Sequence, residues 1–228
     1  MSTPRKHHYV PQFYLRGFTH DGTRTGKLHV LDVASGKQWQ SAPGSTACER
    51  DYYMLELGGD DAVALEKLFG EIEGRAAPVI SQIIQSGSVP GGEEYKHLID
   101  FLGVMALRVP GVLRILDDFH EQVLKRLNWQ LTATKERWDA AVLSAKDAGH
   151  DIPDVSWEEM RDFARDDDYT ITLNQNYRMS MILDGVQVVL PLLAARKWFV
   201  VRVATNAPRF ITSDRPLILC WNNPSRKG

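Results

Sequence analysis

Between positions 60 and 195, hydrophobic residues recur every three or four positions, a spacing typical of amphipathic helices. The first run follows the acidic pair Asp60 and Asp61 and is closed by Gly87, so it predicts a helix across the residues between them. Its apolar positions are Val63, Leu65, Leu68, Phe69, Ile72, Ala76, Val79, Ile80 and Ile83. Similar runs predict helices at about 93–108, 110–131, 135–148, 157–165 and 174–195. Ser156 with Glu159 three residues later is typical of a capping box at the start of the 157–165 helix.

Shorter segments near the two ends alternate apolar and polar residues, as strands do. Residues 27–33 predict one strand, 34–37 a turn and 38–40 its antiparallel partner. Further short strands are expected at 198–203, 209–212 and 216–221. We expect this N-terminal hairpin and the C-terminal strands to form a small antiparallel sheet beside a mainly helical body, which is an α+β fold in a single domain over residues 1–228.

The composition is that of an ordinary soluble domain. The chain has 228 residues, of which 43% are hydrophobic and 25% are charged. Its start lacks the apolar core of a signal peptide, and no window approaches the roughly 20 apolar residues of a membrane span. We therefore expect a cytoplasmic protein with no membrane partner. Cys48 and Cys220 are far apart and form no CxxC pair, so we expect free thiols rather than a zinc site or a disulfide.

The net charge of −2 hides an uneven distribution along the chain. Residues 1–28 hold five Lys or Arg against one Asp, giving +4, and residues 195–228 hold seven against one Asp, giving +6. The middle of the chain therefore carries −12. If the two basic ends meet in the fold, they create a positive field suited to an anionic ligand such as a phosphodiester. Solvation of the surface is the alternative explanation for the same charges.

The chain begins with an unusually aromatic and cationic segment, residues 6–18 (KHHYVPQFYLRGF). Terminal segments are ordinarily frayed, so one this rich in large apolar groups is expected to dock onto the body of the protein. Pro11 suits the first turn of a short helix through Leu15. The side chains of His7 and His8 diverge if the chain is extended, so only one of the two can serve a given site, and a structural role is the alternative for either.

Three further polar residues lie at the borders of apolar runs. Glu73 lies at the edge of the apolar stripe of the first long helix, where it can point into a cleft or into solvent. Arg108 closes the apolar run 101–107 and, if buried, requires a carboxylate or phosphate partner. A salt bridge with Glu73 or with Asp214 is the structural alternative. Asp214 follows two hydroxyl residues between apolar segments, where turn formation alone would also explain it.

Two segments resemble the signatures of a bacterial family called domain of unknown function 4238. Residues 6–18 resemble its opening signature, and residues 210–216 (FITSDRP) resemble its later one. The resemblance spans nearly the whole chain and implies that His8, Glu73, Arg108 and Asp214 are positions of interest, without supplying a mechanism. The chain departs from the pattern at Arg215, where Asn is usual, and it stops before a Pro-Leu-Ser-Pro-like segment of the family, so we expect a C-terminally truncated chain.

From these residues we expect a metal-dependent hydrolase that acts on a phosphodiester, as a nuclease does. His8, Glu73 and Asp214 would bind Mg, Mn or Zn or act as acid and base, and Arg108 would stabilise developing negative charge. Nucleic acid or another phosphorylated anion is the expected partner. The alternative is a non-catalytic binding or interaction module in which the same polar residues form a structural network. A phage-defence or toxin component acting on RNA would share the chemistry of the hydrolase.

Overall fold

The computed structural model describes residues 5–57, 62–204 and 206–220, and most of them are helical. These residues contain four short strands: β1 (Lys6–His8), β2 (Leu28–Leu31), β3 (Gln38–Ser41) and β4 (Cys48–Arg50). The helices are α1 (Gln12–Arg16), α2 (Ala64–Ser86), α3 (Gly92–Leu107), α4 (Pro110–Leu131), α5 (Lys135–Asp147), α6 (Trp157–Asp166) and α7 (Gln175–Ala194). This is an α+β fold with a helical body, which confirms the predicted fold class.

The strands form two antiparallel pairs rather than one sheet. The pair β2–β3 is the predicted hairpin, with Val30 opposite Trp39. The pair β1–β4 places His7 opposite Glu49, and the sequence pattern did not predict it. Because β1 has only three residues, its alternation is too short to be recognised against background.

The predicted C-terminal strands are wrong in the part of the chain that the structure describes. Residues 198–204 and 206–220 form no strand there, and β2 pairs only with β3. Side chains connect this segment to the body instead: the Thr212 and Tyr14 hydroxyl oxygens are 3.0 Å apart, and Arg202 donates to the carbonyls of Ile84 and Gln85. Trp221 lies outside the described residues.

Two compact units divide the chain. The first combines residues 1–113 with 174–228, and the second comprises residues 114–173. In the first unit, α3 packs against both α2 and α7. The core between these elements contains Tyr53, Leu65, Phe69, Val104, Leu113, Met179, Ile182 and Val186. A Cβ atom added at Gly103 would lie 2.7 Å from Leu190 of α7, so the glycine allows α3 and α7 to approach closely.

The ends of the helices follow the chemistry of their capping residues. Gly87 ends α2 in the left-handed conformation at φ 73°, which glycine adopts without strain. In the second unit the predicted capping box is present, since Ser156 accepts from the Glu159 N–H and the Glu159 carboxylate accepts from the Ser156 N–H. Asn174 caps α7 by accepting from the N–H groups of Asn176 and Tyr177.

One described helix, α7, has the length and apolar composition that a membrane-spanning helix would need. This helix departs from the expectation that no window of the chain approaches the length of a membrane span. Met179, Ile182, Val186 and Leu193 of this helix are buried in the protein. Core helices of soluble proteins can have the same length and apolar composition, so the location of the protein stays a prediction.

Candidate functional site

Arg108 lies at the C-terminal end of α3, and its side chain is only 1% exposed. Its Nη1 lies 2.8 Å from Glu73 Oε1 of α2, and its Nε donates to the Tyr9 carbonyl at 3.1 Å. The guanidinium carbon also lies 5.5 Å from the centre of the Phe69 ring. The remaining nitrogen, Nη2, is buried and has no hydrogen-bond partner among the described residues. Arg108 therefore ties the N-terminal segment to two helices of the body.

His7 is the buried histidine of the N-terminal pair. The Tyr53 backbone N–H donates to His7 Nδ1 at 2.8 Å, and the two rings stack with their centres 5.7 Å apart. The Tyr53 hydroxyl in turn donates to the Arg108 carbonyl at 3.2 Å. His7 Nδ1 is therefore the hydrogen-bond acceptor in its contact with Tyr53. His7, Tyr53, Arg108 and Glu73 thus form one connected polar network within a largely apolar region.

The surroundings of this network disfavour additional negative charge. Burial raises the pKa of Glu66, and the carboxylate of Glu73 acts in the same direction, while His7 and Arg108 oppose the effect. Burial also raises the pKa of Tyr53 well above its ordinary value. The network contains one ion pair, Arg108 with Glu73, and burial disfavours the charged form of the neighbouring Glu66 carboxyl group.

A basic groove of about 550 Å³ lies on the side of β1 that carries Lys6 and His8. It is lined by Lys6, His8, Gln12, Arg24, Thr25, Lys27, Ala42 and Gly44. None of these lining residues is acidic, and Lys6, Arg24 and Lys27 form no ion pair with a described carboxylate. Asp21, which precedes the groove residues Arg24, Thr25 and Lys27 in the chain, accepts hydrogen bonds from the N–H and hydroxyl of Thr23. The groove therefore presents three cations and an imidazole to an anion.

His8 is half-buried in the groove. Burial lowers its pKa, and the charge of Lys6 acts in the same direction, while the carbonyls of Gly44 and Pro43 oppose the effect. The Arg108 charge adds a smaller contribution that also lowers this pKa. The Nε2 atom of His8 is buried and has no hydrogen-bond partner among the described residues. At neutral pH His8 is therefore an uncharged imidazole, and its Nδ1 lies 3.5 Å from the side-chain nitrogen of Gln12.

The structure brings together some of the residues proposed from the sequence. Glu73 and Arg108 are in direct contact, and His8 is near enough to Arg108 to be affected by its charge. Asp214 is exposed, and no hydrogen bond or ion pair connects it to the other three within the described residues. Among residues 5–57, 62–204 and 206–220, no group of three or more His, Cys, Asp or Glu is arranged to hold a metal ion.

Sequence reasoning missed several residues of both sites. His7 rather than His8 enters the polar network, because β1 points its middle residue inward. Tyr53 carried no signal, since its neighbours in the sequence do not indicate which of the adjacent Tyr52 and Tyr53 is buried. The groove residues Arg24 and Lys27 were counted only in the charge of the N-terminal segment. An excess of cations over 28 residues was the signal that could have indicated an anion site.

The fold and these two sites define an α+β protein with a basic groove and an Arg–Glu pair whose arginine is buried. The chain belongs to the family described as a protein of unknown function, DUF4238, whose pattern matches residues 6–228. This match confirms the resemblance seen in the two signature segments. No curated protein and no solved structure matches the chain significantly.

Proposed function

We propose that this protein binds a phosphodiester anion, as found in nucleic acid, in the basic groove. The observation that carries the proposal is the lining of the groove: Lys6, Arg24 and Lys27 lie around one concavity that no acidic side chain lines. A phosphate group accepts hydrogen bonds from Lys and Arg and gains from their charge. Gln12 and Thr25 add uncharged polar groups to the same wall.

The polar network supports this proposal by fixing the groove in place. β1 contributes Lys6 and His8 to the groove and the intervening His7 to the network. The next residue, Tyr9, accepts a hydrogen bond from Arg108. In this arrangement Arg108 and Glu73 are positioning residues, as in the non-catalytic alternative considered from the sequence. The groove can then recognise an anion without a catalytic step.

Fluorescence anisotropy with labelled single-stranded RNA, single-stranded DNA and duplex DNA tests the proposal. We expect Lys6→Ala, Arg24→Ala and Lys27→Ala each to weaken binding, and each to reduce the slope of log affinity against log salt by roughly 0.7 to 0.9 if one phosphate contact is lost. Lys67→Ala is the matched control, because Lys67 is exposed on α2 and does not line the groove. Equal effects of the groove variants and of Lys67→Ala would overturn the proposal.

The two basic ends of the chain also contain Arg5, Arg209 and Arg215. Arg5 forms an ion pair with Asp51, so its charge is already partly compensated. Arg209 and Arg215 are exposed in the C-terminal segment. We therefore expect neutralising Lys6 to weaken nucleic-acid binding more than neutralising Arg5.

Hydrolysis of the bound phosphodiester is the second candidate function, and the state of His8 favours it. A neutral imidazole that lines an anion site is the kind of group that accepts a proton from an attacking water. His8, Glu73 and Asp214 remain the predicted ligands of Mg, Mn or Zn, but the described residues do not assemble them as a ligand set. No step of this proposal therefore passes through a metal.

The test of hydrolysis is an assay on DNA, RNA and small diesters, with Mg, Mn and Zn added in turn. His8→Ala should abolish cleavage while leaving the thermal midpoint nearly unchanged. Asp214→Ala should abolish it as well only if the metal hypothesis is right, since no hydrogen bond or ion pair joins Asp214 to a groove residue in the described part of the chain. Binding without cleavage under every condition would leave anion binding as the function.

A further inference from the structure

Helix α4 carries a row of exposed apolar side chains along one face. Ile115, Phe119, Val123 and Leu127 follow one another at intervals of four residues, and they are 57%, 59%, 39% and 48% exposed. Residues four apart lie on nearly the same side of a helix, so these side chains form a continuous ridge. An exposed apolar ridge of this length is characteristic of an interaction surface.

The contacts that α4 makes with the rest of its own unit lie on the opposite side. Lys125 lies 2.9 Å from the Asp167 carboxylate and 4.8 Å from the centre of the Tyr169 ring. Asn128 donates to the Tyr169 hydroxyl at 3.2 Å. At 100° per residue, Lys125 and Asn128 lie about 140° and about 160° from the mean direction of the ridge. Packing within the second unit therefore leaves the ridge uncovered.

Two unpaired charges of opposite sign flank the ridge along one border. Asp118 and Arg126 are both exposed, and neither forms an ion pair within the described residues. They are eight residues apart, about 12 Å along the helix axis, which is too far for them to pair with each other. Each therefore lacks a partner that a second helix could supply.

The ridge and its flanking charges would match the same surface of a second copy packed in the antiparallel direction. If a second α4 lies antiparallel with its midpoint near residue 121, Ile115 faces Leu127 of the other copy and Phe119 faces Val123. Asp118 then lies close to Arg126 of the other copy, because the midpoint of these two residues, near residue 122, is one residue from that of the apolar pairs. The two-fold symmetry forms each of these pairs twice. A two-fold interface needs this property, because the same surface serves both subunits.

We propose that the protein forms a two-fold homodimer in which the α4 ridges of two copies pack antiparallel. The occupant of the ridge is a second copy of this chain rather than an unrelated helix, because both the apolar spacing and the charge order match their own reverse. The four side chains can bury only a few hundred Å² per copy, below the roughly 800 Å² of a standard interface. We therefore expect a reversible dimer with a dissociation constant in roughly the micromolar range.

Sedimentation equilibrium of the full chain over a range of concentrations tests the dimer. Phe119→Lys should leave the protein monomeric, because it introduces two charges at the centre of the interface. Val188→Lys is the matched control: Val188 is 66% exposed on α7 and should leave the association unchanged. A monomer at every concentration, or an association weakened by Val188→Lys and not by Phe119→Lys, would overturn the proposal.

Reversing the charges at positions 118 and 126 tests the dimer without replacing an apolar residue of the ridge. Asp118→Arg alone and Arg126→Asp alone should each raise the dissociation constant roughly tenfold, since the symmetry turns two attractions into two repulsions. The double variant Asp118→Arg with Arg126→Asp restores opposite charges across the axis and should recover the wild-type value. Circular dichroism would confirm that every variant remains folded. A double variant as weak as the single variants would contradict the antiparallel register.

Discussion

Arg108 and Glu73 form an ion pair at 2.8 Å in which the two partners differ in burial, with the arginine side chain 1% exposed and the glutamate 25% exposed. The arginine is the partner that cannot return to water without disturbing the fold. The carboxylate of Glu73 offsets its charge, and the Tyr9 carbonyl accepts from its Nε. The pair therefore stabilises the position of the N-terminal segment, from which the basic groove is built.

Removing Glu73 should strongly destabilise the protein. Glu73→Ala leaves Arg108 charged and buried, and breaking such a pair costs about 3–5 kcal/mol when both partners are buried. Since Glu73 retains some exposure, we expect a loss of about 2–3 kcal/mol in the free energy of unfolding, measured by urea denaturation. Glu71→Ala, an exposed position of the same helix, is the control and should change the stability by less than about 0.5 kcal/mol. Equal effects of the two variants would show that the pair does not hold the fold.

Replacing each of the two adjacent histidines with alanine should affect stability and anion binding to different extents. His7→Ala removes the acceptor of the buried Tyr53 N–H and should lower the free energy of unfolding by about 1–3 kcal/mol. His8→Ala should lower it by less than about 1 kcal/mol but should weaken anion binding, because His8 lines the groove. Urea denaturation and anisotropy on the same two proteins separate these effects. A His7→Ala protein as stable as the wild type would remove His7 from the network.

The lowered pKa of His8 predicts how both binding and stability depend on pH. The folded protein holds His8 neutral, so the unfolded chain, with a pKa near 6.5, binds the proton more readily. This contribution to stability is fully present above about pH 6.5 and is lost as the pH falls toward the folded pKa. Over the same range, the added positive charge should tighten anion binding by up to roughly tenfold.

Anion affinity and the free energy of unfolding, measured at about pH 7.5 and about pH 5.5 for the wild type and for His8→Gln, check this prediction. Glutamine keeps hydrogen-bonding groups and cannot gain a charge. We expect the variant to lose most of the pH dependence of binding, while other titrating groups keep part of the pH dependence of stability. An unchanged pH dependence of binding in the variant would place the responsible group outside His8.

Neutralising Glu66 should stabilise the protein at neutral pH. Burial raises its pKa, so the folded state disfavours the carboxylate relative to the unfolded chain. This contribution lowers stability as the pH rises from the unfolded pKa through the folded one. Glu66→Gln should therefore raise the thermal midpoint near pH 7, and the gain should shrink on acidification. Glu71→Gln is the control for loss of one negative charge, and an equal gain in that variant would refute the explanation.

The family signature and the helical periodicity were readable from the sequence. The runs of apolar residues at intervals of three and four predicted every long helix, because burial of one face imposes that spacing whatever the neighbours are. Ser156 with Glu159 and Gly87 marked helix ends correctly, since capping depends on nearby backbone atoms alone. The hairpin of β2 and β3 was predicted for the same local reason.

Tertiary structure alone decided the partners of the polar residues. A sequence shows that Arg108 requires a carboxylate if it is buried, but only the packing of α2 on α3 selects Glu73 rather than Asp214. Likewise, the pairing of β1 with β4 decides that His7 turns inward and His8 faces the groove. In the C-terminal segment, the alternation of apolar and polar residues favoured strands that the structure does not form. A strand also needs the edge of a neighbouring strand for its hydrogen bonds, and β2 pairs only with β3 among the described residues. Spacing along the chain thus determined the helices, and contacts between distant segments determined the site.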